Sequence, residues 1–550
     1  MLRKLLVLIV ALLTLPVLAQ LSAANFPSEA ILQRIRPEGI RAHMDFLASD
    51  LLEGRATGTR GYALAASYIQ TQFEEMGLRA AGNNGTYLQN VPFRRIELIP
   101  EQSSVTVQNG ANAQKLVFEK DFVSRGDPLY PDAVVQAPVV FVGFGVTAPE
   151  FSYDDYAGAD AKGKIVAMFY GAPEKFPSAQ RAHYSAGRVK LANAVAHGAV
   201  GYILIWAGAI EERTPFSRIV RFYREPSLRW LDPKGVPNDA QPQIRASVTL
   251  SKTGAETLFQ GAPKSFQEAL DASSKGQAQS FPLAAKANIH IVSRHSKTES
   301  PNIAAVLPGS DPQLKNEYVV YTAHADHLGI GEPINGDSIY NGALDNASGT
   351  AALLEIARVF SELPQAPRRS ILFVAATGEE EGLLGSDYYA HYPTVPISQM
   401  AANINMDGIS LLYDFRDIVP LGAEHSSLGQ VVERVAQHFG LEVSPDPLPE
   451  EVFFIRSDQY SFVRQGVPAV AITEGFKAAD PKINGREVAL EWEKTRYHTP
   501  KDDMNQPLNF EAAAKCTRIN FGVGYIVAQQ TSRPTWNKND FFGQEFAKSR

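Results

Sequence analysis

The sequence predicts an α/β protein, a mixed and mostly parallel sheet sandwiched by helices, with a smaller β-rich domain inserted; three observations carry this. After Pro301, strand-like and helix-like runs alternate, the order that parallel strands with crossover helices require. Ile371-Leu372-Phe373-Val374-Ala375-Ala376 is a continuous apolar run, the pattern of a strand buried on both faces. Residues 127–285 instead carry short β-rich runs, APVVFVGFG, KGKIVAMFY and GAVGYILIW, separated by turn-rich and charged stretches.

In chain order, Met1–Ala19 has a basic start, Arg3-Lys4, followed by the apolar run Leu5–Leu18. It is short for a membrane span of about 20 residues and ends in Val17-Leu18-Ala19, so a removable signal peptide with cleavage before Gln20 is expected. The expected destination is the periplasm or the medium, with no stable membrane anchor after removal. Losing Arg3 and Lys4 makes the formal charge of −7 more negative by two. That mild acidity gives no basis for a nucleic-acid partner. The single cysteine, Cys516, lies in a helical run, Phe510–Gln529, and can form no intramolecular disulfide. A chain of 550 residues can rest on its core instead.

Residues 20–126 read as the first segment of a main domain, 127–285 as the insert, and 286–550 as the second segment. Tyr62–Gly77 has Ala65, Ile69, Phe73 and Met76 on one helical face, with Gly77 as its stop. Within the insert one helical run, Ala186–Gly198, separates two strand-like runs. Val142-Gly143-Phe144-Gly145 imitates a dinucleotide-binding loop, but Pro149 and the run Phe151–Tyr156 follow where the helix should be. No Gly-x-Ser-x-Gly, Walker or His-Glu-x-x-His sequence occurs.

Chemistry-bearing residues gather at predicted strand ends. TAHADHLG (Thr322–Gly329) follows the strand-like Tyr318–Tyr321, ATGEEEGLLGS (Ala376–Ser386) follows the apolar strand, and NGALDNASG (Asn341–Gly349) precedes a helical run, Thr350–Phe360. Ala402–Met406 ends at Asp407, and Tyr497-His498 lies in a polar loop. Strand-end loops are where α/β proteins place their sites. Each residue also has an ordinary reading: a histidine at a strand end is commonly a hydrogen-bonded structural group, Asp345 or Asp458 can cap the helix that follows, and Glu379–Glu381 can favour a helix N-terminus.

Taken together, His324, Asp345, the Glu379-Glu380 pair, Asp407 and His498 resemble, in order, the motifs of the co-catalytic dizinc exopeptidases, the family of bacterial leucyl aminopeptidase, aminopeptidase Y and glutamate carboxypeptidase. The resemblance implies a zinc exopeptidase fold and two Zn²⁺ per chain. Asp345 would bridge the ions, with His324 and Asp407 on one and Glu380 and His498 on the other. It makes Glu379 the general base, places Asp326 behind His324 to fix its tautomer, and offers Tyr497 as a donor to the developing oxyanion. Asp458 would line the substrate pocket. Three carboxylates and one hydroxide would neutralise two divalent ions; donors without thiolate suit zinc, although ligand type alone also admits Mn²⁺ or Co²⁺. The insert resembles a protease-associated domain through Val142–Val166 and Ala194–Ile205 and is expected to shape the cleft.

The function implied is removal of N-terminal residues from peptides, with peptides as the partners. A carboxypeptidase or dipeptidase would use the same metal motifs. A metal-free binding protein on this fold, or a one-zinc enzyme cyclising N-terminal glutamine, would not need the full set.

Overall fold

The computed structural model describes residues 26–547, so the expected signal peptide lies outside the described residues. Two compact units divide them. The first holds residues 26–91, 300–449 and 456–547; the second is Pro92–Glu299 with Glu450–Ile455.

The first unit is built on a central sheet. Its strands are β1 (Arg79–Ala80), the C-terminal end of β2 (Phe281–Leu307), β3 (Tyr318–His324), β4 (Ser370–Ala376), β5 (Met400–Asn405), β6 (Asp417–Leu421), β7 (Glu442–Val443) and β8 (Ala469–Glu474). Spatial order is β1-β2-β4-β3-β5-β8-β6-β7; the pairings β4–β3, β3–β5, β5–β8 and β6–β7 are parallel, and the others antiparallel. This is the mixed, mostly parallel sheet that the alternation after Pro301 calls for.

Period-two side-chain alternation sorts the strands into two cores. Ile303 and Ala305, Val319, Tyr321 and Ala323, and Ile371, Phe373 and Ala375 join one cluster with α1 (Pro37–Leu47), α2 (Arg60–Glu75), α3 (Gly349–Ser361) and the 20-residue helix Phe510–Gln529. Ala304, Val320, Leu372 and Val374 point the other way, against Tyr389 and Phe462. Both faces of β4 are therefore dry, which is why its sequence reads as an unbroken apolar run. Burying one such Ile, Leu or Phe side chain is worth roughly 1.5–3 kcal/mol, so the apolar run of β4 contributes strongly to holding the sheet. α3 is buried along almost its whole length. α2 stops where expected: Gly77 adopts φ +68° just past its end.

In the second unit, Asp132–Phe141, Ile165–Phe169, Gly201–Ile205 and Ser247–Leu250 form a parallel run of strands. Residues 127–285 lie inside it, and it extends further on both sides. Ser104–Asn109 pairs with Ala285–His290, and Phe93–Ile96 with Ser227–Trp230, and composition does not register such pairings. The helical run expected at Ala186–Gly198 is Gly187–Ala196. No helix among the described residues is long and apolar enough to cross a membrane.

Candidate metal centre

Parallel pairing brings three loops to one edge. His324 is the last residue of β3 and sits in register with Ala376, the last of β4; Thr322 sits beside Asn405, the last of β5. Glu379 and Glu380 follow β4, and Asp407 follows β5, on that same edge. Beneath them a buried polar ladder fixes the strand ends: the Thr322 hydroxyl donates to Asn405 Oδ1 at 2.6 Å, and Asn405 Nδ2 donates to Ser457 Oγ and Gln459 Oε1 at 2.9 and 2.7 Å.

Asp345 comes from the irregular turn Ala343–Ser348 ahead of α3. It does not act as a side-chain cap of that helix. Its backbone is held from outside: Asp502 accepts from the N–H groups of Leu344 and Asp345 at 2.9 and 3.0 Å. Asn346 Oδ1 accepts from Gly349 and Gly408 N–H, and its amide donates to Met406 O. Those bonds tie the Asp345 turn to the loop carrying Asp407.

All five residues read as ligands converge. His324 Nε2 lies 3.1 Å from Asp407 Oδ1 and 3.3 Å from Asp345 Oδ1. His498 Nε2 lies 3.2 Å from Asp345 Oδ2 and 3.1 Å from Glu380 Oε2. Two ligand atoms about 2.0–2.2 Å from one tetrahedral ion stand about 3.3–3.6 Å apart, so these separations suit two donors per ion with little adjustment. Asp345 offers one oxygen to each side. Two groups able to hold a cation result, His324 with Glu379 and Asp407, and His327 with Asp345 and Glu380. The second names a histidine, His327, that the sequence motifs left aside.

Asp326 is fully buried behind His324. Its backbone carbonyl, not its carboxylate, is nearest to His324 Nδ1, at 3.2 Å against 3.9 Å. The carboxylate accepts from the N–H groups of Glu379 and Glu380 at 3.2 and 3.4 Å and from Thr57 Oγ1 at 3.1 Å. Asp326 thus fixes the Glu379-Glu380 turn by its side chain and the His324 ring by its main chain. Asp458 is buried at the head of the short helix Gln459–Val463 and makes no side-chain cap to it. Tyr497 stacks on the His498 ring, centroids 3.8 Å apart.

The electrostatics follow from crowding acids out of water. Burial, opposed by His324 and reinforced by Asp407 and Glu380, holds the Glu379 carboxyl well above its usual range. Burial raises Asp326 to about 6 and Asp458 to about 7, each against the pull of His324. Burial acts the same way on Asp345 and Glu380 but loses to the imidazoles: hydrogen bonds from His324 and His498 keep Asp345 well below the usual range, and His498 brings Glu380 to about 2. Burial disfavours the imidazolium of His498, yet Glu380 and Asp345 raise it to about 10. Six carboxyl groups thus surround three imidazoles, His324, His327 and His498, and such an acid excess in a buried site is balanced by bound protons or by added cations. The donor set therefore fits two divalent ions.

Residues 302–523 match the model of Peptidase family M28, and this segment contains every residue of the cluster from His324 to His498. Curated relatives include a probable leucine aminopeptidase 2 of Aspergillus oryzae, 24% identical over 41% of this chain and 44% of its own. A probable zinc metalloprotease of Pyrenophora teres f. teres is 39% identical over 42% of this chain and 52% of its own. The chain spans about half or less of the length of these relatives. Among solved structures, an aminopeptidase from Aneurinibacillus sp. strain AM-1 shares the fold with a TM-score of 0.52, at 20% identity over 92% of this chain and 99% of that one.

Proposed function

We propose that this protein is a zinc-dependent aminopeptidase that holds two zinc ions and hydrolyses the N-terminal bond of peptides. The observation carrying the proposal is Asp345, whose two oxygens face different histidines, 3.3 Å from His324 and 3.2 Å from His498. His324 and Asp407 would hold one ion, Glu380 and His498 the other, with Asp345 between them. The M28 match of residues 302–523 and the aminopeptidase and metalloprotease names of the relatives support the reaction class.

Bound there, the ions supply Lewis acidity toward the peptide carbonyl and make the attacking water acidic enough to ionise at neutral pH. The chain's own residues do the rest. Glu379, held by its N–H to Asp326 and prone to take up a proton in this crowded acidic setting, accepts the proton of that water. It returns the proton to the leaving amine. Asp326 keeps Glu379 and Glu380 on their separate tasks by fixing both backbone N–H groups. Tyr497, stacked on His498, would donate to the developing oxyanion. Asp458 would line the substrate pocket. Export through Met1–Ala19, and a protease-associated role for residues 127–285, complete the reading on the strength of the sequence alone.

Four versions of one peptide, blocked at the N-terminus, at the C-terminus, at both or at neither, each incubated with and without chelator, test this. The expected result is chelator-sensitive cleavage lost on N-terminal blocking alone. Loss on C-terminal blocking alone would make the protein a carboxypeptidase, and no cleavage after zinc is restored would leave a binding protein.

A further inference from the structure

His327 stands outside the ligand set read from the motifs, although it is buried at its heart, 1% exposed. Its Nδ1 lies 2.6 Å from Glu380 Oε1 and 3.9 Å from Asp345 Oδ2. Glu380 Oε2 faces His498 at 3.1 Å. The two oxygens of one carboxylate therefore have different partners. Nε2 of His327 is enclosed without a hydrogen-bond partner among the described residues, so the contact with Glu380 is the ring's one hydrogen bond among them.

The ring's position is fixed by its seat. A Cβ added at Gly342 would lie 2.5 Å from His327 Cγ and 2.6 Å from Cδ2, so the imidazole rests directly on the Gly342 backbone, which itself adopts φ +59°. The fully buried Arg55 guanidinium donates to Asn341 O, to Gly342 O at 3.0 Å and to Ala325 O at 3.0 Å. The carbonyl of Arg55 accepts from His327 N–H at 3.2 Å. Three separate segments thus hold one imidazole against one carboxylate oxygen.

We propose that His327 is a positioning residue: its Nδ1–H binds Glu380 Oε1 and leaves Oε2 alone to face the ion shared with His498. Distance separates this role from direct ligation. Two donors on one tetrahedral ion stand about 3.3–3.6 Å apart, whereas 2.6 Å is the length of a charge-assisted hydrogen bond. A carboxylate can only accept, so Nδ1 carries the hydrogen. Partners of this kind raise ligand basicity and orient the ligand, and losing one typically costs 10–100-fold in metal affinity.

The inference rests on the two-zinc reading, and the test keeps the two apart. His327→Leu fills the seat on Gly342 without a donor, while His327→Asn returns an N–H near the Nδ1 position. Zinc stoichiometry and the dissociation constant of each ion are measured on full-length protein by competition with a chromophoric chelator. The expected result is a 10–100-fold weaker affinity for one of two ions in His327→Leu, largely recovered in His327→Asn. Unchanged affinity in His327→Leu would overturn the positioning role with the metal site intact. Complete loss of one ion in both variants would overturn it in favour of direct ligation. Wild-type protein that binds no zinc would sink the two-zinc reading and this inference with it.

Discussion

Each unit buries charge, and each does so differently. In the second unit, Asp155 is buried beneath the loop that imitates a dinucleotide-binding sequence. It accepts from the N–H groups of Phe144, Val146 and Gln279 and from the Tyr153 hydroxyl. Lys190 donates to Phe144 O. Gly143 and Gly145 take φ +46° and +68°, and a Cβ at Gly143 would fall 2.2 Å from Asp155 Oδ1. The glycines that suggest a phosphate loop make room for a carboxylate of the same chain. In the first unit, six carboxyl groups crowd three imidazoles and their hydrogen bonds do not balance the charge. The closed cluster satisfies itself; the open one is left to take up protons or cations. That contrast, rather than burial or a shifted pKa alone, separates a structural network from a site.

The largest expected effect that sharpens the contrast comes from the first unit. Glu379→Gln should keep both metals and lose about 10²–10⁴-fold in turnover, read from kcat together with metal content. Turnover near wild type with the metals in place would remove Glu379 from the chemistry.

A smaller effect is expected in the second unit, and it should be indifferent to chelator. Burial, opposed by Asp155, lowers Lys190 from 10.5 to about 7. Between those values the unfolded chain holds a proton that the folded one lacks, so stability rises with pH there, by about 1.4 kcal/mol per pH unit at most. Burial, opposed by the hydrogen bonds of Tyr153 and Val146, raises Asp155 from 3.8 to about 6. In that lower window the folded state holds the extra proton, and stability falls as pH rises. The pair contributes least between about 6 and 7. Lys190→Met should abolish the upper slope in denaturant midpoints measured from pH 7 to 10; an identical slope in the variant would show that Lys190 is not the titrating group.

The sequence made most of the first unit legible because its strands are buried on both faces and end in the residues read as ligands. β4 and the helix Phe510–Gln529 could be read almost to the residue, and the five residues read as ligands converge at one sheet edge. His327 escaped notice although it stands next to Asp326 in the same motif, because its role depends on Gly342 and Glu380, which only the fold brings beneath and beside it. Asp502 escaped for a similar reason: its partners are the backbone N–H groups of Leu344 and Asp345, which have no sequence signature. Asp326 acts on His324 through its carbonyl, a distinction no residue type encodes. Lys190 lies in the predicted helical run Ala186–Gly198, and its burial, with the ammonium donating to Phe144 O, has no signature there. The limits of the second unit depend on pairings such as Ser104–Asn109 with Ala285–His290, which join residues far apart in sequence.

Zinc titration of metal-free protein, wild type beside Asp345→Ala, addresses the central claim most directly. The account predicts two ions per wild-type chain and fewer than two in the variant, since one side chain faces both histidines. Two ions still bound after Asp345→Ala, or a wild-type chain that saturates at one, would contradict it.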